Sequence, residues 1–566
     1  MTGSAAPSYH HGTSLAPLRG QTVGGLLDAA RDARPDAPAL SVPHRGVHWT
    51  WRDLSAAVDE LAAGFVALGL EPGERVGILA PNMAEWIVVQ FATARAGLIL
   101  VNINPAYRLN ELRFALTTAG CRALVTAAAF KTSDYIAMLT ELCPELPGAE
   151  PGRLDAATCP DLEMVIAIDD AARPGLLNLP AVAAMADDEH RARAAIVAAR
   201  LDFDDPINIQ FTSGTTGTPK AATLSHHSIV NNAAVSAAVM GLTEADRLCI
   251  PVPMYHCFGM VLGSLLCTAC GAAMVLPSAG FDADAMLDAV ESEGCTAVHG
   301  VPTMFIAALE AQQARRRRLD SLRTGIMAGA PCPEELMHRV MSELNVGEIT
   351  IAYGMTETGP LSTQTLPADP VALRVATVGR VLPHTEIKIV DPAGHIVPAG
   401  TAGELCTRGY CVMRGYWNDP ERTAKEIDAA GWIKSGDVAT LDEDGYVRIV
   451  GRIKDMLIRG GENIYPREIE EFLYTHPDIE QVEVFGVPDA RYGEEVAAWI
   501  RLKPGAAADA EAIRDFCRGN LAHFKIPRHV RFVTEFPMTV TGKVQKYLMR
   551  ERMAAELEAE RSAGWL

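Results

Sequence analysis

The sequence predicts an α/β fold: packed α/β subdomains first, a small β unit after them, and a compact α+β unit at the C-terminus. Three observations lead there. Helix and strand signals alternate over the first ~200 residues. From about Arg380 the rhythm changes to short strands between turn signals. From about Lys454 helices and strands mix. The length of 566 residues leaves room for roughly three or four such units.

Thr50 and Asp53 stand at capping-box spacing ahead of Leu54, Val58, Leu61, Phe65 and Leu68, a stripe at helical period. Pro72-Gly73 breaks that run, and Val76 to Leu79 reads as a buried strand. Trp86 to Ala96 reads as a helix and Leu98 to Val101 as the next strand, a βαβ rhythm that implies parallel sheet. The Pro- and Ala-rich stretch from Pro144 to Arg200 reads as looser and peripheral. A second α/β run spans about Leu201 to Gly379. Pro392-Ala393-Gly394, Pro398-Ala399-Gly400 and Asp442-Glu443-Asp444-Gly445 punctuate the β unit. The basic run Arg315 to Arg318 reads as a solvated face. Cys257 to Leu276 carries no charge and is long enough to span a bilayer. Gly259, Gly263, Ser264, Thr268 and Gly271 dilute it, so it reads as a buried helix running into a buried strand.

Lys plus Arg is 50 and Asp plus Glu is 70, a net charge of −20, with an isoelectric point near 5.2. That excludes a general affinity for nucleic acid and disfavours anionic membranes. It leaves room for a local basic pocket that holds a phosphate ligand. The 49% hydrophobic and 21% charged fractions are those of a folded enzyme. Twelve scattered cysteines suit a reducing compartment, and the expected location is cytoplasmic. Cys267 and Cys270 form a CxxC pair with no second pair at zinc spacing, so they read as packed thiols. Met1 to Arg19 is polar and lacks the apolar core of a signal peptide. The sequence is compatible with a homo-oligomer and does not specify one.

Four segments carry chemistry. Thr212-Ser213-Gly214-Thr215-Thr216-Gly217-Thr218-Pro219-Lys220 follows an apolar run, Ile207 to Phe211. Its hydroxyls and free N–H groups can cradle phosphate oxygens, and Lys220 adds a positive charge. It is not a Walker A loop, because Pro219 and Ala221 stand where Gly and Ser or Thr would be needed. Taken alone it fits a phosphate cradle or a flexible surface turn. In Tyr353-Gly354-Met355-Thr356-Glu357-Thr358 an aromatic ring can stack on a base, a hydroxyl can hold a phosphate and a carboxylate can ligate Mg²⁺; a helix-capping turn would look similar. Ser435-Gly436-Asp437 and Gly451-Arg452-Ile453-Lys454-Asp455 offer an acid and an arginine for ribose or phosphate, although Asp in turns usually caps locally. Pro537-Met538-Thr539-Val540-Thr541-Gly542-Lys543 places a lysine after a glycine near the C-terminus.

In this order and spacing the four segments closely resemble the adenylate-forming superfamily of acyl-CoA synthetases, luciferases and peptide-synthetase adenylation domains. Asn102-Ile103-Asn104-Pro105-Ala106-Tyr107, Tyr255-His256-Cys257 and Ile458-Arg459-Gly460-Gly461-Glu462-Asn463-Ile464-Tyr465-Pro466 are similar to the fatty acyl-CoA synthetase branch. They are most similar to the group called acyl-CoA synthetase family member two, associated with medium-chain acids. The resemblance runs from about residue 25 to 555. It implies a large N-terminal domain, 1–453, carrying the AMP-binding and acyl sites, a hinge at Lys454, and a mobile C-terminal domain, 454–566. It implies ATP, Mg²⁺ and coenzyme A as reactants and cofactors, and a small-molecule carboxylic acid as substrate. Thr212 to Lys220 then match the loop for the β- and γ-phosphates. Gly329, Ala330 and Pro331 match the loop beside adenine, and Tyr353, followed by Gly354, matches the aromatic packed on it. Thr356 is expected at the α-phosphate, Glu357 on Mg²⁺, and Asp437 with Arg452 on the ribose. Lys543 matches the lysine bridging carboxylate and α-phosphate, Gly461 a glycine beside the CoA tunnel, and His256 a residue near the acyl carbon. A packed histidine remains the plainer reading of His256. The family usually has Gly where Ala221 stands, which costs about 1 kcal/mol if that position needs positive φ and nothing if it is extended.

The run Pro253 to Leu262 and the segment Val301 to Phe305 contain no carboxylate to hold an α-ammonium, which favours an alkyl or aryl acid over an amino acid. The resemblance favours a medium chain. Alternatives are an acyl-AMP ligase serving a carrier protein, an aryl or long-chain acid–CoA ligase, a luciferase-like oxygenase, and a non-catalytic binding module. The last would need a decayed site, yet Thr356, Glu357, Asp437, Arg452 and Lys543 are all present.

Overall fold

The computed structural model describes residues 6–212, 219–459, 462–489, 491–538 and 544–562. The expected α/β architecture is present. One sheet has eight strands, in the order Leu177–Asn178, Met164–Ala167, Cys121–Thr126, Arg75–Leu79, Ile99–Asn102, Pro206–Thr212, Lys220–Ser225 and Gly415–Tyr416. Neighbours run parallel through Pro206–Thr212, and the last two pairings are antiparallel. A nine-stranded sheet has the order Arg380–Val381, Leu361–Gln364, Glu348–Gly354, Thr324–Ala328, Ala297–Gly300, Arg247–Cys249, Ala273–Val275, Pro38–Val42 and Val47–Thr50. It is parallel from Glu348–Gly354 to Pro38–Val42.

The capping box forms as the spacing predicts. Thr50 Oγ1 accepts from the Asp53 amide at 3.2 Å, and Asp53 Oδ2 accepts from the Thr50 amide at 2.9 Å. The helix Trp51–Ala67 buries Leu54, Val58, Leu61 and Phe65, while Leu68 serves as its C-cap. Ala84–Arg95 and Ile99–Asn102 are the next helix and strand. Cys257 to Leu276 is a buried run of helical turns, one of them π-helical over Met260–Leu265, that enters the buried strand Ala273–Val275. No described helix is long and apolar enough to cross a membrane.

Two readings change. The stretch Pro144 to Arg200 is not simply peripheral: Met164–Ala167 is a buried strand that extends the first sheet. Its helix Asp188–Ala198 does lie mostly exposed. The run Arg315 to Arg318 is not a uniformly solvated face. Arg317 is fully buried, paired with Asp284 and Asp288, and it donates to the Ala311 and Arg315 carbonyls at 2.8 and 2.9 Å. A charge can be buried when every donor finds an acceptor.

The small β unit is a five-stranded sheet, Tyr9–His11, Thr385–Val390, Gly403–Gly409, Ile433–Leu441 and Val447–Arg452. Its first strand comes from the opposite end of the chain, which no local pattern announces. Residues from Leu457 onward build a separate sheet around Gly493–Leu502, with the helices Pro466–Leu473, Ala510–Cys517 and Lys546–Ser562. Among the described residues, their apolar clusters include no residue before Leu457. None of the twelve cysteines, all of them among the described residues, forms a disulfide.

Phe65 is fully buried in the large apolar core of the chain. Phe65→Ala should cost about 3–5 kcal/mol, read as a lower urea midpoint with an unchanged far-UV circular dichroism spectrum.

Candidate active site

Of the predicted residues, Thr212, Lys220, Thr356 and Glu357 come together where strands of both large sheets end, as parallel α/β architecture favours. Pro206–Thr212 and Lys220–Ser225 form a hairpin with Thr212 opposite Lys220. Ser213, Gly214, Thr215, Thr216, Gly217 and Thr218 lie outside the described residues; Thr212, Pro219 and Lys220 frame them. Ala221 is a buried strand residue opposite Phe211, with no positive φ, so the departure from Gly costs nothing there. Lys220 is not a bare cation: Nζ donates to Glu426 Oε1 at 2.8 Å and to the Tyr416 hydroxyl at 3.3 Å.

On the second sheet, Glu348–Gly354 runs into a tight turn, Thr356–Thr358. A Cβ on Gly354 would come within 1.9 Å of the Pro360 carbonyl oxygen, so only glycine lets the chain fold back there. The turn buries Thr356 and Glu357, each 8% exposed. Glu357 Oε1 accepts hydrogen bonds from Thr212 Oγ1 at 3.2 Å and from the Tyr416 hydroxyl at 3.1 Å. Tyr416 therefore joins Lys220 to the buried glutamate. Burial and the Glu357 charge hold the Tyr416 pKa above its usual value, so the hydroxyl stays protonated and donates.

Asp437 and Arg452 face each other across Ile433–Leu441 and Val447–Arg452. Arg452 Nε donates to Asp437 Oδ1 at 2.9 Å, and the Tyr353 hydroxyl donates to Asp437 Oδ2 at 2.5 Å. Burial and the neighbouring carboxylate push the Tyr353 hydroxyl well above its ordinary pKa. Gly329, Ala330 and Pro331 form an exposed loop after Thr324–Ala328, the parallel neighbour of the strand bearing Tyr353. Gly329 has φ +90°. Gly461 and Lys543 lie outside the described residues.

The apolar half of the site is the segment around His256. His256 caps the turn Cys257–Gly259, its Nδ1 accepting from the Phe258 amide at 3.2 Å, which sets the proton on Nε2. Cys257 Sγ stands 3.8 Å from Thr356 Oγ1. The apolar segment and the Thr356–Glu357 turn touch at that contact. Phe258 stacks on His299, ring centroids 5.4 Å apart. His299 is fully buried, with Nε2 against the Leu262 carbonyl at 2.9 Å and Nδ1 accepting from the Ile326 amide at 3.1 Å.

The site fits a magnesium nucleotide. Among the described residues no group of three or more His, Cys, Asp and Glu could form a metal cage. Mg²⁺ needs none, because it keeps water and phosphate oxygens and takes one or two carboxylates from the protein. Glu357, buried and oriented by two hydroxyls, has the chemistry such a ligand would need.

Sequence reading missed Tyr416 and Glu426. They are 59 and 206 residues from the partners they hold, Glu357 and Lys220, and only the Gly415-Tyr416-Trp417 cluster hinted at a structured turn.

Comparison with known proteins identifies the family. The AMP-binding enzyme family matches residues 27–417. The chain belongs to that family. Its C-terminal companion, the AMP-binding enzyme C-terminal domain, matches residues 468–543. A family relative in Danio rerio, the medium-chain acyl-CoA ligase ACSF2, mitochondrial, is 46% identical over 97% of this chain and 91% of its own. The putative acyl-CoA synthetase YngI of Bacillus subtilis is 47% identical over 95% of this chain and 98% of its own. The structure of ATP-bound MatB from Rhodopseudomonas palustris superposes with a TM-score of 0.81 at 30% identity, covering 94% of this chain and 99% of that one.

Burial holds the pKa of His299 down to about 4, from an ordinary 6.5, and that of His226 likewise. Between those values the unfolded chain binds protons that the folded protein refuses. Stability should therefore fall as pH drops from 6.5 toward 4, by on the order of 3 kcal/mol per histidine. His299→Gln should make that decline shallower in thermal melts.

Proposed function

We propose that the protein is an ATP-dependent acyl-CoA synthetase, an AMP-forming acid–thiol ligase acting on medium-chain fatty acids. It joins a carboxylic acid to the α-phosphate of ATP, releasing pyrophosphate, and then passes the acyl group to the thiol of CoA, releasing AMP. The observation that carries this reading is the contact of two unlike half-sites at Cys257 and Thr356. On one side is a nucleotide-type constellation of Thr212, Lys220, Tyr353, Thr356, Glu357, Asp437 and Arg452. On the other is a segment, Pro253 to Leu262, with no carboxylate and a mostly apolar surface. A carboxyl group at that junction has its tail in apolar surroundings and its oxygens toward the phosphate site.

Each residue has a role in this reading. Tyr353 packs on the adenine beside Gly329, Ala330 and Pro331. Asp437 accepts from the ribose hydroxyls, held by Arg452 and Tyr353. Thr212 to Lys220 hold the β- and γ-phosphates. Thr356 donates to the α-phosphate. Glu357 would hold Mg²⁺ together with the phosphates of ATP, and the ion when bound neutralises phosphate charge. Lys543 supplies a pre-placed ammonium where negative charge gathers in the first step. His256 stands by the acyl carbon, and Gly461 leaves room for the pantetheine arm. We divide the chain at 1–453 and 454–566, with Lys454 as the hinge; the separate apolar clusters beyond Leu457 support that boundary. The twelve cysteines, none of them joined in a disulfide, support a reducing, cytoplasmic location.

AMP formation should be measured for straight-chain acids of graded length, with and without CoA. The expected result is CoA-dependent turnover peaking at medium chains, each buried CH₂ contributing ~0.8 kcal/mol. Pyrophosphate release without CoA-stimulated turnover would point instead to a carrier-protein acceptor. Lys543→Ala should lower the rate of acyl-adenylate formation by about 10²–10³, read by pyrophosphate release, and wild-type adenylation by that variant would remove Lys543 from the step.

A further inference from the structure

Two buried asparagines at the carboxyl ends of adjacent parallel strands grip the loop that leads to His256. Asn82 follows the strand Arg75–Leu79, and Asn102 ends the strand Ile99–Asn102. Each is 3% exposed. Asn82 Nδ2 donates to the Val252 carbonyl at 2.9 Å, and its Oδ1 accepts from the Met254 amide at 2.8 Å. Asn102 Nδ2 donates to the Tyr255 carbonyl at 3.0 Å. The loop is thus held at three backbone groups by two side chains, immediately before His256.

Asn102 is itself held. Its Oδ1 accepts from Asn208 Nδ2 at 2.9 Å, and Asn208 Oδ1 accepts from Gln210 Nε2 at 2.9 Å. Asn208 and Gln210 share a strand with Thr212, two residues apart each time, so all three side chains lie on one face of the sheet. A ladder of buried amides therefore runs along that face toward the hydroxyl that donates to Glu357, and branches at Asn102 to the acid side. Buried amides are costly unless fully bonded, and in this register the bonds form in one arrangement only.

We infer that Asn102 and Asn82 are positioning residues for the acid-binding half of the site: they set where the Tyr255–Phe258 turn stands against Thr356. They act through the backbone of that loop and touch neither nucleotide-site carboxylate in the structure. The inference rests on the ligase reading given above. Its signature is a split between substrates. Loosening the grip displaces His256 and Cys257, which face the acid, and leaves the Tyr353–Asp437–Arg452 cluster intact.

The test is steady-state AMP formation by Asn102→Asp, which keeps the side-chain shape and removes the Nδ2 donor. Octanoate and ATP are varied in turn, with wild type assayed alongside. Loss of one such bond to a buried carbonyl should raise KM for octanoate about tenfold, with KM for ATP within about twofold of wild type. Equal rises in both KM values, or no change in either, would overturn the inference. Asn82→Asp probes the same loop from the other strand and is expected to give the same split. Failure of both variants to fold, read by circular dichroism, would assign the amides to sheet stability and also overturn it. If wild type forms no AMP with any acid, the ligase reading is what fails.

Discussion

Two buried carboxylates hold this site together. Glu357 collects hydroxyls from Thr212, at the end of one large sheet, and from Tyr416, on that sheet's last strand. Glu357 itself belongs to a turn leaving the other large sheet. Asp437 does the same between the second large sheet, through Tyr353, and the five-stranded sheet, through Arg452. A buried carboxylate without partners costs several kcal/mol. The three sheets must therefore meet in one arrangement for both acids to be satisfied, and the nucleotide-type constellation is a by-product of that requirement.

Lys220, the lysine proposed for the phosphate loop, belongs to the same economy of charge. Lys220 is already neutralised by Glu426 and lies over the ring of Tyr416, at 5.0 Å from its centroid. Its contribution is to hold a hairpin and a helix around Glu357 as much as to present a free ammonium. Ala221 next to it sits in an extended strand, so the local departure from the family pattern leaves the hairpin unstrained.

What the sequence revealed and what it hid follow from the range of each interaction. The helix Trp51–Ala67 was legible because its cap and its apolar stripe are local. The segments holding Thr212, Tyr353, Glu357, Asp437 and Arg452 were legible because short motifs, most of them commonplace alone, stand in the order and spacing of the adenylate-forming family. The strand Met164–Ala167 was hidden in a Pro- and Ala-rich context, since a four-residue buried strand has no periodicity to detect. Arg317 looked like one of four solvated charges, and only the acids of a neighbouring helix explain its burial. Tyr416, Glu426 and the amides at Asn82, Asn102 and Asn208 act across long sequence separations, and no spacing rule reaches them.

The contact between Cys257 and Thr356 joins two regions built on different plans. The proposed nucleotide side is assembled from residues spread between Thr212 and Arg452, with Thr212 and Tyr353 each bonded to a carboxylate from another sheet. The proposed acid side is largely one contiguous run, Pro253 to Leu262, whose last residues enter the π-helical turn Met260–Leu265. On the proposed reading, substitutions in that run would alter the acid side without disturbing either stapling carboxylate. The fold therefore separates what can drift from what cannot: descendants of such a chain can change the acid they accept by small local steps, while the nucleotide chemistry stays fixed by long-range constraints.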